Sequence, residues 1–207
     1  MGKRWLRRKD ARAPEILEAA LACFAQKGFT GTRMDDIARR AGITKGTIYL
    51  YFDSKESVFK ALARASIGEQ LAAVKAQVEN FPGPATQLLR LVLSTMGRFV
   101  AASDRVILPR LVLAEAGNFP ELAKFWREEI IDKGLGLLGS IIARGVARGE
   151  FKAIAPDHAA RLCVAPILLI GMWRTTFAQF DTEPYDYDTL IDAHLQTLLQ
   201  GLEARPQ

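Results

Sequence analysis

Residues 32–52, TRMDDIARRAGITKGTIYLYF, constrain this chain more than any other stretch of its sequence. They predict two short helices joined by a tight turn. The first predicted helix covers residues 33–41, and Thr32 and Asp35 form a capping-box-like pattern at its start. Gly42 follows where the backbone needs a left-handed residue, because glycine has no Cβ to clash there. The pattern is a helix-turn-helix.

The second predicted helix, residues 45–51, has a face suited to a DNA groove. Thr44 is its predicted N-cap. At about 100° per residue, a cation, a glycine, a phenol and an apolar side chain fall within one arc: Lys45, Gly46, Tyr49 and Leu50. The lysine and the phenol can contact phosphates or base edges, and the glycine lets the backbone come close.

The motif extends into flanking residues, which match a known family. The matching segments are ILEAA at 16–20, FAQKGF at 24–29, Thr32, IA at 37–38, AGITKGTIY at 41–49, YF at 51–52 and SKE at 54–56. In combination they resemble the DNA-binding domain of the TetR family of bacterial transcriptional regulators. The resemblance covers about a quarter of the chain. The remainder is similar in size and helical character.

The resemblance implies an all-α fold: a three-helix helix-turn-helix DNA-binding domain followed by a larger helical ligand-binding and dimerisation domain. Lys55 begins a further helix after Phe52, where a cation and helix N–H groups can hold a phosphate. The predicted DNA-contacting residues are Arg33, Thr44, Lys45, Gly46, Thr47, Tyr49, Leu50, Tyr51 and Lys55. Leu50 lies at a position that varies among family members, so the base preference stays open.

The positive charge of the chain is concentrated around this motif. The whole chain has a formal net charge of +5. Residues 1–60 hold 13 Lys and Arg against 7 Asp and Glu, whereas residues 61–207 hold 15 against 16. A basic segment joined to a neutral remainder is typical of a small DNA-binding domain attached to a larger one.

The sequence predicts three parts: a basic flexible arm at 1–12, the DNA-binding domain at 13–57 and the helical domain at 58–207. The arm, MGKRWLRRKDAR, has six cations and one acid. It is either a solvated tail or an arm that lies along phosphates or enters a minor groove. Apolar spacing predicts nine helices, near residues 14–28, 33–41, 45–51, 54–80, 84–103, 105–116, 121–148, 157–180 and 187–202.

Two features of the sequence bear on where the protein works. Its two cysteines are too few for a disulfide scaffold. The longest uncharged apolar run, residues 162–173, has twelve residues, too few to span a bilayer. We therefore expect a cytoplasmic protein without a membrane partner.

The larger domain has two predicted roles. The resemblance implies a homodimer formed through the helices near 157–180 and 187–202, and intramolecular core is the alternative. It also implies an effector site, for which apolar residues are the candidates: Met96, Phe99, Phe125, Trp126, Ile130, Met172, Trp173 and Phe177. The candidate polar anchors are Arg98, Arg174 and His158. Stripes of this kind are more often simply core.

The favoured hypothesis is a homodimeric repressor that binds a palindromic double-stranded DNA operator and is released by an unknown small ligand, lipophilic or aromatic. One alternative is a structural DNA binder without a ligand. The other is a small-molecule enzyme on a helical scaffold. No nucleophile–base constellation, phosphate-binding glycine loop or metal-ligand spacing is visible. The sequence therefore predicts no catalytic residue, no metal and no cofactor.

Overall fold

The computed structural model describes residues 2–204, with side chains from residue 12 onward. Within that part the fold is all-α, as predicted, apart from one isolated bridge between Phe151 and Glu203. It contains eleven α-helices: α1 Gly2–Gly31, α2 Met34–Arg40, α3 Lys45–Tyr49, α4 Lys55–Ala63, α5 Glu69–Asn80, α6 Ala85–Ala102, α7 Ile107–Glu115, α8 Pro120–Trp126, α9 Asp132–Ala147, α10 Pro156–Thr176 and α11 Tyr187–Leu202.

The nine predicted helices correspond to these eleven, because two long ones are interrupted by π-helical turns. Arg64–Gly68 joins α4 to α5, and Arg127–Ile131 joins α8 to α9. Each turn keeps the chain helical, so the sequence pattern runs on through it. Within residues 2–204, no helix combines the length and apolar character needed to cross a membrane.

The chain divides into two compact units. The first contains Met1–Glu69 together with Leu111–Trp126. Its core is rich in aromatic rings: the centroids of Phe24 and Phe29 are 5.5 Å apart, and Phe59 meets Phe29 edge-on at 5.7 Å. The predicted DNA-binding domain, residues 13–57, lies wholly within this unit. The later segment Leu111–Trp126 completes it.

The second unit contains Gln70–Arg110 and Arg127–Gln207. Its core is formed mainly by α6, α9, α10 and α11, which pack against one another. Glycines allow close packing within it. A Cβ on Gly97 would lie 2.8 Å from the side chain of Ile191, and one on Gly145 would overlap the ring of Phe151.

The first helix starts earlier than predicted. The backbone of α1 is helical from Gly2, and Gly28, with φ 71°, interrupts its last turns. The helix predicted at residues 14–28 is therefore the second part of a longer helix. The predicted basic arm, residues 1–12, lies almost entirely outside the described side chains, so its contact with DNA stays a prediction.

Candidate nucleic-acid interface

The helix-turn-helix forms as predicted at its turn. Gly42 has φ 66°, the left-handed conformation that glycine adopts without strain. The N–H of Ile43 then donates to the carbonyl of Ala38 at 3.0 Å. At the start of α3, the N–H of Thr47 donates to the Thr44 hydroxyl oxygen at 3.2 Å. The turn and the cap are both made within a few residues, which explains why the sequence predicted them.

The predicted cap of α2 is wrong. Arg33, not Thr32, is the residue at the N-cap, and its N–H donates to the Asp36 carboxylate at 3.1 Å. Thr32 is 1% exposed, and its hydroxyl faces α1. It lies 2.7 Å from the carbonyl oxygen of Gly28 and 3.2 Å from that of Cys23. Thr32 therefore fastens the start of the motif to the supporting helix.

The sides of α3 differ sharply in exposure. Ile48 is fully buried, whereas Tyr49 is 44% exposed and Leu50 is 68% exposed. Lys45 and Gly46 are exposed as well. The helix ends at Tyr49, two residues earlier than predicted, and Leu50 is its C-cap. The predicted contact face is therefore presented to solvent at the end of a short, well-capped helix.

The remaining predicted contacts lie around that face. Thr44 and Arg33 are exposed, and Thr47 and Tyr51 are partly buried. The Thr44 and Thr47 hydroxyl oxygens lie 2.8 Å apart. Thr47 is therefore engaged in the cap of its own helix.

Ion pairs connect charged side chains at the surface of the motif. The Lys45 ammonium lies 3.1 Å from the Asp35 carboxylate, and both side chains are more than half exposed. Such a pair contributes little to stability, so a phosphate can replace the carboxylate. Asp36 is paired with Lys27 at 2.9 Å and Arg39 at 3.0 Å. The hydrogen bond from Lys27 lowers the pKa of Asp36 below its usual value.

Lys55 is held by the protein itself. Its ammonium donates to the carbonyl oxygen of Phe29 at 2.6 Å and lies 4.4 Å from the centroid of that ring. Burial lowers the pKa of Lys55. In this structure the ammonium therefore binds the end of α1, and a contact with phosphate, as predicted from the sequence, would require it to leave.

The predicted effector-site residues are divided between the two units. Phe125 and Trp126 are buried in the first unit, where Trp126 packs 6.2 Å from Phe59. The other six belong to the second unit. Met96 and Phe99 are partly buried on α6 against its core, and Ile130 lies in the π-helical turn before α9. On α10 and directly after it, Met172, Trp173 and Phe177 are 43%, 42% and 50% exposed.

The second unit contains a cavity of about 450 Å³ between α6 and α11. Arg98, a candidate anchor, lines it together with Asp188 and Asp192. None of the eight predicted effector-site residues does. The other two candidate anchors have different roles: Arg174 donates to the carbonyl oxygens of Val100 and Ser103, and His158 is exposed.

Metal ligation has no geometric basis in residues 12–204. No group of three or more His, Cys, Asp or Glu side chains is placed there to hold an ion. A ring nitrogen of His194 lies 3.0 Å from the carbonyl oxygen of Cys163. Burial raises the pKa of the Cys163 thiol to about 11, so this cysteine behaves as a core residue.

The comparison with known proteins agrees with this geometry. A family model described as "Bacterial regulatory proteins, tetR family" matches residues 16–62. A second, described as "Tetracyclin repressor-like, C-terminal domain", matches residues 82–193, more than half of the chain. This chain belongs to the TetR family. It is therefore related to DNA-binding transcriptional regulators over both of its parts.

Individual TetR-family relatives cover almost the whole chain. The HTH-type transcriptional regulator RutR of Escherichia coli (strain K12) is 31% identical over 88% of this chain and 80% of its own length. The fatty acid metabolism regulator protein of Bacillus subtilis (strain 168) is 25% identical over 95% of this chain and 98% of its own. The structure of FadR from Bacillus subtilis in complex with stearoyl-CoA has a TM-score of 0.76, 26% identity, and covers 90% and 97% of the two chains.

Proposed function

We propose that this TetR-family regulator is a homodimeric repressor that binds a palindromic operator and is released by a small lipophilic ligand. The observation that carries the DNA-binding site is the exposed side of α3. Lys45, Tyr49 and Leu50 are presented together there, while Ile48 anchors the same helix in the core. A short helix held in this way can enter a major groove without unfolding.

The proposed dimer uses the outward side of α10. Several of its large apolar side chains are exposed: Leu162 59%, Leu168 45%, Leu169 61%, Met172 43% and Trp173 42%. A contiguous apolar surface on a single helix is costly in water and favours burial against a partner. Two-fold dimers are the commonest oligomers. A second copy of the chain is therefore the proposed partner.

The palindromic operator follows from that symmetry. A two-fold dimer carries two copies of α3, related by the same axis. Such a pair fits two half-sites of opposite orientation, about 34–36 Å or a multiple of that distance apart on the DNA. A monomer would contact one half-site and lose most of its selectivity.

The ligand class rests on similarity. FadR of Bacillus subtilis was solved with stearoyl-CoA, and it aligns with 90% of this chain. A long-chain acyl-CoA is therefore the first ligand to test. The ligand must bind the DNA-free state more tightly than the DNA-bound state, or it would release nothing.

The test begins with purified dimer and fragments of the source genome selected by binding. Stearoyl-CoA, free coenzyme A and stearate are then titrated into the selected complex, and the bound fraction is followed by fluorescence anisotropy. The expected result is one enriched palindromic sequence, released by stearoyl-CoA but not by coenzyme A alone. Enrichment of unrelated sequences would overturn the operator. Complexes that survive all three compounds would overturn the acyl-CoA assignment and leave the operator standing.

A further inference from the structure

A carboxylate from the distal segment Leu111–Trp126 binds the end of α1. The Glu115 carboxylate accepts from the N–H of Thr30 at 3.1 Å and from its hydroxyl at 2.9 Å. It also accepts from the side-chain amide of Asn118 at 3.2 Å. Thr30 and Glu115 are 85 residues apart in sequence but belong to the same compact unit. Both hydrogen bonds from Thr30 end on one ionised group, which strengthens each of them.

Aromatic packing supports the same connection. The ring of Phe119 meets the ring of Phe29 edge-on, with centroids 4.9 Å apart. The Lys55 ammonium lies 4.4 Å from the Phe29 ring centroid and 5.8 Å from that of Phe119. The end of α1, the start of α4 and the distal segment therefore meet at one cluster: Phe29, Thr30, Lys55, Glu115 and Phe119.

The charges of Glu115 and Lys55 stabilise each other in this cluster. Burial alone would raise the pKa of Glu115, but the hydrogen bonds from Thr30 and Asn118, with the charge of Lys55, lower it overall. Glu115 is consequently ionised at neutral pH. Its charge also favours the ammonium form of Lys55 and so opposes the effect of burial on that group.

Residues of this cluster come both before and after the helix-turn-helix in the sequence. Thr30 comes shortly before α2, which begins at Met34, and Lys55 is the first residue of α4, shortly after α3. Holding these two points fixes where the intervening motif begins and ends. Resting on the DNA-binding function proposed above, we propose that Glu115 is a positioning residue: by accepting both hydrogen bonds from Thr30, it holds the end of α1 and so orients the α2–α3 motif.

The direction in which one substitution changes operator affinity distinguishes this role from a simple effect of charge. Removing an acid from a DNA-binding unit lessens its repulsion of phosphates, so charge alone predicts tighter binding by Glu115→Ala. Loss of positioning predicts weaker binding. The two explanations therefore give opposite results in the same measurement.

The experiment measures operator affinity of the full-length protein at several salt concentrations. Glu115→Ala removes both charge-assisted hydrogen bonds from Thr30 and is expected to weaken binding by about tenfold or more. The slope of log affinity against log salt should stay unchanged, because no phosphate contact is removed. Glu121→Ala is the matched control: Glu121 is an exposed acid of the same segment. It should leave affinity unchanged or slightly raised.

Two further variants test the hydrogen bond itself. Glu115→Gln keeps one of the two acceptor oxygens but not the charge, so it should recover part of the lost affinity. Thr30→Val removes the hydroxyl donor, so it should weaken binding in the native background but add little to Glu115→Ala. If Glu115→Ala does not fold, which circular dichroism would show, Glu115→Gln and Thr30→Val still give the answer. The amide resonance of Thr30 should move upfield when the carboxylate is lost.

Several results would overturn the proposal. Tighter binding by Glu115→Ala would show that Glu115 acts only through its negative charge. Unchanged binding would show that it has no role in DNA binding. Equal losses in Glu115→Ala and Glu121→Ala would assign the effect to the segment as a whole. Additive effects of Thr30→Val and Glu115→Ala would show that their hydrogen bond is not what positions the motif.

Discussion

Thr32 shows how one hydroxyl can connect two helices. Its side chain is buried, and its only proton can be shared between two carbonyl oxygens of α1, those of Gly28 and Cys23. Valine has nearly the same shape but no donor. A buried carbonyl would then lose its partner, which costs more than the net gain of an ordinary hydrogen bond.

Thr32→Val is therefore expected to lower the free energy of unfolding by about 1–3 kcal/mol. Urea denaturation followed by far-UV circular dichroism measures this change. Thr95→Val is the control, because the Thr95 hydroxyl is exposed and bonds to Leu91 of its own helix. A loss of similar size in both variants would contradict the assigned role of Thr32.

Gly46 allows folding and DNA binding to be separated. It lies within α3, without a positive φ, and a Cβ there would meet no atom within 4 Å. Gly46→Ala should therefore leave the protein equally stable or up to about 1 kcal/mol more stable, since alanine favours the helix. We expect operator affinity to fall because the added methyl group keeps the backbone from the DNA. A stable variant with native affinity would show that α3 does not approach the DNA at Gly46.

The sequence predicted those residues whose partners lie close by in the chain. Gly42 and Thr44 act within a turn of helix, so their types and spacing were sufficient. The role of Thr32 was missed because its hydroxyl faces a helix that precedes it. The contact of Glu115 with Thr30 has no local signal at all, since 85 residues separate them. Such a contact depends on how distant helices pack.

At the scale of elements, the glycines of α9 have unequal roles. In a helix, four glycines such as Gly134, Gly136, Gly139 and Gly145 can mark close packing, a bend or a break. Close packing holds at Gly145, where the Phe151 ring occupies the space of a side chain. Gly136 and Gly139 have nothing within 4 Å of an added Cβ, and Gly134 has only an ordinary contact at 3.7 Å. A glycine count does not distinguish these cases.

A pair of alanine substitutions in α9 tests this difference. Gly145→Ala forces the Phe151 ring to move and should cost about 1–3 kcal/mol, the usual cost of overpacking. Gly139→Ala should be neutral or stabilising by up to about 1 kcal/mol, because alanine favours the helix. Thermal unfolding of the two variants under identical conditions gives the comparison. Equal melting temperatures would contradict the packing described at Gly145.

For the whole molecule, the two units do not follow the order of the chain. The first takes residues from the start of the sequence and again from Leu111–Trp126. Helix periodicity predicted each of these helices but not which unit they join. An apolar stripe shows that one side of a helix is buried, but not which other helix it packs against. The predicted effector-site residues Phe125 and Trp126 belong to the first unit for this reason, while Met172, Trp173 and Phe177 are exposed in the second.

The proposed dimer predicts the effect of a charge on the outward side of α10. Leu169 is 61% exposed, and Leu113 on α7 is 63% exposed. Leu169→Glu should turn a dimer into a monomer, because an unpaired carboxylate would be buried at the interface. Leu113→Glu should leave the protein a dimer. Sedimentation velocity measures both, and a dimeric Leu169→Glu variant would place the interface elsewhere.

A footprint on the selected operator tests whether a two-fold dimer binds DNA through α3. We compare the wild type with Lys45→Ala, using Lys152→Ala as an exposed cationic control from the second unit. We expect one discrete protected site with two-fold symmetry for the wild type and the control. Lys45→Ala should lose this protection. It should also reduce the slope of log affinity against log salt by about one, because one phosphate contact is removed. Uniform protection along the fragment would contradict a discrete operator, and a footprint that Lys45→Ala leaves intact would contradict DNA contact by α3.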